Sequence, residues 1–201
     1  MVKPKASNQR SLMLCCDLEL GCSPLGFCTR PLGCTLTVVL SFWRDTCSFI
    51  QDYPKGEEYQ PIKLELRRNE LGKKNYQFDF SGFLNPFLVF SESALTALVD
   101  ILEPRGQLLP VITESKRKKF FGYYPTNPLS GCFDKEKSVY EECPNGLMIR
   151  KPFLIAKNIT DEYLFSIEEC INRIFVTDKF KQRVEDANLL GFNFSVEISI
   201  S

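Results

Sequence analysis

Apolar residues recur along this chain with two different periods, and the switches between them mark its elements. After Tyr59, Ile62, Leu64 and Leu66 alternate with Lys63, Glu65 and Arg67. This is the two-residue period of a strand with one buried face. Residues 69–75 hold turn formers with Gly72 among them, and Tyr76, Phe78 and Phe80 alternate again. The pattern predicts a β-hairpin over residues 59–80. Phe87-Leu88-Val89-Phe90 reads as a short apolar strand. Ser91 and Glu92 then open a helix in which Leu95, Leu98, Val99 and Leu102 fall at i, i+3, i+4 and i+7, one core-facing stripe. Pro104 and Gly106 end it. Leu108 to Ile112 returns as a strand, with Pro110 pointing to an edge or a bulge.

The last stretch, residues 173–200, repeats the arrangement as strand, helix, turn and strand. Thr177 is placed to cap the helix with its hydroxyl. Asp178 adds negative charge at the positive end of the helix dipole. Phe180, Val184 and Ala187 make one stripe, and Phe192, Phe194, Val196 and Ile198 alternate as in a half-buried strand. Val89-Phe90-Ser91-Glu92 with Asp100 matches Phe175-Val176-Thr177-Asp178 with Asp186 at a constant offset. Shared capping chemistry accounts for that weak repeat better than duplication does. Between the two units, residues 125–132 read as loop and 141–146 as turn-rich. Phe153 to Ala156 and Tyr163 to Ile167 read as strands.

Composition narrows the chemistry. The 201 residues include 44% hydrophobic residues and 17 Phe, ample for a packed core. Lys+Arg and Asp+Glu balance at 25 each, so no net field favours nucleic acid. There is no histidine, which removes His-based nucleophile activation, His acid–base catalysis and any imidazole-dependent zinc site. The nine Cys stand at 15, 16, 22, 28, 34, 47, 132, 143 and 170, an odd and uneven set that makes a poor disulfide framework. The run Leu36 to Phe42 is too short and too far from the N-terminus for a secretory signal and too short to cross a membrane. These features set the expectation of a cytoplasmic protein with reduced thiols.

Residues 1–55 differ in texture from the rest. They read as a Cys-rich extension, poorly ordered or arising from a mis-assigned start, ahead of a domain over residues 56–201. Thr35 to Phe42 is rich enough in β-branched residues to form a strand. Cys16, Cys22, Cys28 and Cys34 recur every six residues, but that spacing is not the Cys-x-x-Cys of a metal loop. No metal or other cofactor is expected.

Reactive constellations are sparse. The basic run from Ser115 to Lys119 reads as a solvated turn leading into a strand with Phe120, Phe121, Tyr123 and Tyr124. Asp134 and Ser138 resemble an acid and a nucleophile, but Ser lacks a histidine to activate it. Asp134 suits an Asx turn better. Cys132, Cys143 and Cys170 stand alone, which favours packing over catalysis. No catalytic residue is assigned.

Four pieces in order carry a family resemblance. They are Phe87 to Ala94; Tyr123-Tyr124 with Phe133 to Ser138; Leu164 to Glu168; and Ile174 to Phe180 with Leu190 to Phe194. Over about residues 59–198 the chain resembles immunity protein family eleven of bacterial polymorphic toxin systems, formerly a domain of unknown function. The resemblance implies an α+β fold: a mixed, mainly antiparallel sheet with two principal helices in a single domain. It implies a non-catalytic protein that binds and neutralises a cognate toxin domain. It also carries over Asp134 and Ser138 as the family's Asp-x-x-x-Ser pair. Residue type and position add Tyr123, Tyr124 and Tyr140 as candidate anchors, and Glu141 and Glu142 as candidate charge contacts, on an acidic loop 134–142. The partner is then a protein rather than nucleic acid or membrane. Competing expectations are a small cytosolic enzyme using carboxylate or Cys chemistry, or a general protein-binding module.

Overall fold

A computed structural model of the chain describes residues 12–14, 36–38, 59–66, 77–84, 86–144 and 146–201. Among the described residues the elements begin, in chain order, with strands β1 Leu12–Leu14, β2 Leu36–Val38, β3 Ile62–Leu66, β4 Phe80–Leu84 and β5 Phe87–Ser91. Helix α1 spans Glu92–Leu102. Then come β6 Gly106–Thr113, β7 Phe120–Pro125, β8 Pro128–Leu129, β9 Val139–Cys143, β10 Gly146–Lys151, β11 Phe153–Leu154, β12 Leu164–Ile167 and β13 Cys170–Thr177. Helix α2 spans Asp178–Asp186, and β14 spans Glu197–Ile200.

The protein is an α+β domain. One six-stranded sheet has the order β11-β14-β1-β13-β12-β8, the other β2-β3-β6-β7-β5-β4, and β9 and β10 form a separate hairpin. Most neighbours are antiparallel; β3 with β6, β8 with β12 and β11 with β14 are parallel.

Both sheets bury two faces, and the alternation of each strand assigns its residues. On β5, Leu88 and Phe90 enter the main core, whereas Phe87 and Val89 enter a second cluster with Leu64 and Phe120. On β13, Ile174 and Val176 enter the main core, whereas Phe175 packs with Phe165 and Ile167 in a third cluster. The main core therefore draws on both sheets, and both helices pack into it. In α1 the buried positions are Ala94, Leu95, Leu98, Ile101 and Leu102. Val99, expected in the stripe, is 37% exposed. Each buried large side chain here contributes about 1.5–3 kcal/mol relative to exposure.

Helix entry at α1 follows the sequence. Ser91 Oγ accepts from the Ala94 backbone N–H at 3.2 Å, and Pro104 sits in the short 3-10 turn that ends the helix. At α2 the expected cap is absent: Thr177 Oγ1 instead donates to the Glu162 carbonyl at 3.0 Å. The α2 stripe holds at Phe180 and Val184, whereas Ala187 is exposed beyond the helix end. The helices are also clamped to each other, since Arg183 donates to both carboxylate oxygens of Asp100 at 3.0 and 2.9 Å.

Three other expectations are corrected. Among the described residues β3 and β4 do not pair as the hairpin expected over residues 59–80: β3 pairs with β2 and β6, whereas β4 pairs with β5 at the far edge of the same sheet. Long-range pairing overrides the local turn signal there. Pro110 lies on a central strand, but at the last rung to β7 and one residue before the ladder to β3 begins, where its missing N–H does least harm. The alternating stretch after Gly191 becomes a strand only from Glu197. Phe192 stacks on Phe80 at 4.4 Å and on Phe194 at 5.8 Å instead of joining a ladder.

Asp79 ties several of these parts together. Its carboxylate accepts from Ser91 Oγ at 2.6 Å, from Lys118 Nζ at 2.7 Å and from the Leu190 backbone N–H at 3.0 Å. Its own N–H donates to the Leu190 carbonyl, and its carbonyl accepts from the Ser91 N–H. One buried acid thus joins the start of β4, the cap of α1, the turn before β7 and the segment after α2.

Candidate partner-binding surface

The Asp134–Ser138 pair is built into the fold. Asp134 Oδ1 accepts from the backbone N–H groups of Glu136 and Lys137, both at 3.1 Å, an Asx turn. Its other oxygen receives Ser201 Oγ at 3.3 Å. Ser138 Oγ accepts from the Phe153 N–H at 2.9 Å and donates to the Phe153 carbonyl at 3.3 Å. The pair shapes the turn before β9 and fixes it to β11, with both side chains engaged by the chain itself.

That turn launches the β9–β10 hairpin. Residues 139–143, partly assigned to an acidic loop and a turn from sequence, form a strand because β10 supplies a partner along its length. Across the hairpin Tyr140 faces Ile149, and Glu141 faces Met148. Alternation turns the first pair inward: Ile149 is buried, and Tyr140 packs edge-on to Phe133 at 5.6 Å. The opposite face carries Val139 and Met148, exposed at 55% and 42%. Glu141 there pairs with Arg150 at 3.3 Å, and Glu142 is exposed on the same strand. Arg173 Nη2 donates to the Ile149 carbonyl at 2.7 Å and anchors the hairpin to β13.

The two remaining candidate anchors lie elsewhere. Tyr123 is fully buried in the main core, and its hydroxyl donates to the Leu102 carbonyl at 3.0 Å. Burial raises its pKa strongly. It has no surface to offer a partner and, against expectation, is not an anchor. Tyr124, the next residue on β7, points to the opposite face, packs beside the Leu64 cluster and is half-buried. Burial raises its pKa as well. Both belong to the sheet that excludes the hairpin, so the structure brings together Asp134, Ser138, Tyr140, Glu141 and Glu142 but not the β7 tyrosines. The exposed apolar pair Val139 and Met148 escaped the sequence reading, because no periodicity distinguishes an outward valine from a buried one.

The described cysteines show no sign of activation. Cys132 is buried, and its thiol donates to the carbonyls of Ser130 at 3.6 Å and Asn158 at 3.5 Å. Burial, with a smaller effect from the Glu169 charge, pushes that thiol up. Burial likewise raises Cys170, against the opposing charge of Arg173. Cys143 is half-buried on β9. The regularly spaced Cys16, Cys22, Cys28 and Cys34 lie outside the described residues. Among the described residues no group of three or more His, Cys, Asp or Glu side chains is arranged to hold a metal ion. No helix among them is long and apolar enough to cross a membrane.

The chain matches no family model and no curated protein.

Proposed function

We propose that this chain is a cytoplasmic, non-catalytic inhibitor that neutralises a cognate protein toxin by covering its active site or substrate entry. The observation that carries the reading is the outer face of the β9–β10 hairpin, where Val139 and Met148 are exposed beside Glu141, with Glu142 exposed on the same strand but on the face of Tyr140. Tight protein pairs rest on a few apolar anchors that become buried, with charge complementarity steering encounter. The hairpin is tied to the domain by Arg173 and by the Asp134 turn, which leaves its outer face available to a partner. The resemblance of residues 59–198 to immunity proteins supplies the partner class. Support also comes from the side chains with chemical potential: Asp134, Ser138, Cys132 and Tyr123 are all engaged in contacts that hold the fold.

The direct test is co-expression with a toxic domain encoded by a neighbouring reading frame. Wild-type chain should rescue growth, and the double substitution E141K/E142K should lose rescue and weaken binding by tenfold or more. A turnover reaction of the isolated protein, abolished by one side-chain change, would overturn the proposal.

A further inference from the structure

The basic turn before β7 borders a recess of about 680 Å³ lined by Gln77, Glu114, Ser115, Lys116, Arg117, Lys118 and Leu190. That volume lies within the range of small-molecule sites, about 300–1,000 Å³. The cations along this turn divide into two kinds. Lys118 is committed to Asp79 and to the Phe78 carbonyl, and Lys119 pairs with Glu92 at 3.6 Å. Lys116 and Arg117, between them and the end of β6, are exposed and have no ion-pair or hydrogen-bond partner among the described residues.

The turn that carries them is preorganised. Ser115 Oγ accepts from the Lys118 backbone N–H at 3.1 Å, and the buried Asp79 fixes the Lys118 ammonium. Two adjacent cations therefore stand free at the wall of a recess, on a turn tied at its base. Arg offers a planar fork that matches phosphate oxygens, and Lys a point charge. The lining also includes the Glu114 carboxylate, which weakens the hold on a bare anion. Leu190 supplies an apolar contact, and the volume has room for an organic body attached to the phosphate.

We infer that this recess binds a phosphorylated small molecule of nucleotide size, with Lys116 and Arg117 taking the phosphate and the Leu190 side of the recess taking the organic part. This site is separate from the β9–β10 hairpin and does not depend on the toxin reading.

The experiment is isothermal titration of the full chain with ATP, pyrophosphate and adenosine as probes at low salt. ATP should bind, pyrophosphate more weakly and adenosine not measurably. The exposed pair K116Q/R117Q should lower ATP affinity at least tenfold while circular dichroism stays unchanged. Acylation of Lys116 by an amine-reactive ester should fall when ATP is added, with Lys119 unaffected, which checks the location without any substitution. Absence of binding by both phosphate probes would overturn the inference. So would equal affinity in the double variant, equal binding of adenosine, or tighter binding of single-stranded DNA than of ATP.

Discussion

Removing the Asp79 carboxylate takes one acceptor from three donors in different parts of the fold. Asp79→Ala deletes the acceptor for Ser91 Oγ, Lys118 Nζ and the Leu190 N–H at once. The side chains of Asp79 and Lys118 are exposed by only 10% and 25%, so water restores little of the lost pairing. Breaking a buried ion pair from one side costs about 3–5 kcal/mol, because the remaining charge is stranded. Partial exposure of Lys118 places the expectation near the lower end, about 3 kcal/mol. For a domain of this size that lowers Tm by roughly 6–12 °C.

Urea denaturation followed by far-ultraviolet circular dichroism reads the loss. Asp79→Asn should cost less, because the amide oxygen still accepts from Ser91 or Leu190. A double-mutant cycle with Lys118→Ala should show coupling of more than about 1 kcal/mol. A loss below about 1 kcal/mol for Asp79→Ala, or strict additivity in the cycle, would refute the reasoning.

The same carboxylate fixes a pH dependence. Burial works to raise its pKa, but hydrogen bonds from Lys118, Ser91 and Leu190, with the charge of Lys118, outweigh burial and hold it below the ordinary aspartate value. A depressed folded pKa gives stability that is present above the unfolded range near pH 4 and is lost as pH falls through the folded value. Asp79→Asn should flatten that acid limb.

Four further outcomes are expected. Ser138→Ala removes both bonds to Phe153 and should cost about 1–2 kcal/mol in urea denaturation, as befits a residue that builds the turn. Gly122→Ala would drive a methyl group into the Phe87 ring on the neighbouring strand and should destabilise by about 1–3 kcal/mol, measured as a fall in Tm. Tyr123→Phe should cost about 1 kcal/mol by leaving the Leu102 carbonyl without its hydroxyl partner, again read by denaturation. Cys132 and Cys170, with raised thiol pKa values, should react with iodoacetamide at pH 7.5 far more slowly than a free thiol, monitored by mass spectrometry of the native protein.

Elements whose identity depends on local periodicity were legible in the chain. The α1 stripe and its Ser91 cap follow from residue spacing and from one hydroxyl before a helical run. Partner choice between strands was not legible, because it is settled by residues far apart in sequence. Tyr59 to Phe80 has every local mark of a hairpin, yet β3 and β4 sit at opposite sides of one sheet. Alternation over Phe192 and Phe194 was real, but the rings serve aromatic packing against Phe80 rather than a ladder. At the candidate surface, the Asx turn at Asp134 was readable from residue type. The fate of the β7 tyrosines was not, since a strand buried on both faces gives no outward side to infer. Asp79 gave no sign of its role either: an acid flanked by Phe78 and Phe80 marks a site, and only tertiary structure supplies its partners.

The placement of β1 has a consequence for assembly. The sheet of β2 to β7 is contiguous in sequence, whereas the other sheet sets β1 between β13 and β14, with Leu12 opposite both Thr177 and Ile198. At a synthesis rate of about 5–20 residues per second, that first strand waits on the order of 10 s before its neighbours leave the ribosome. The β2–β7 half is free to form first, and the second sheet closes only when β1 meets β13 and β14.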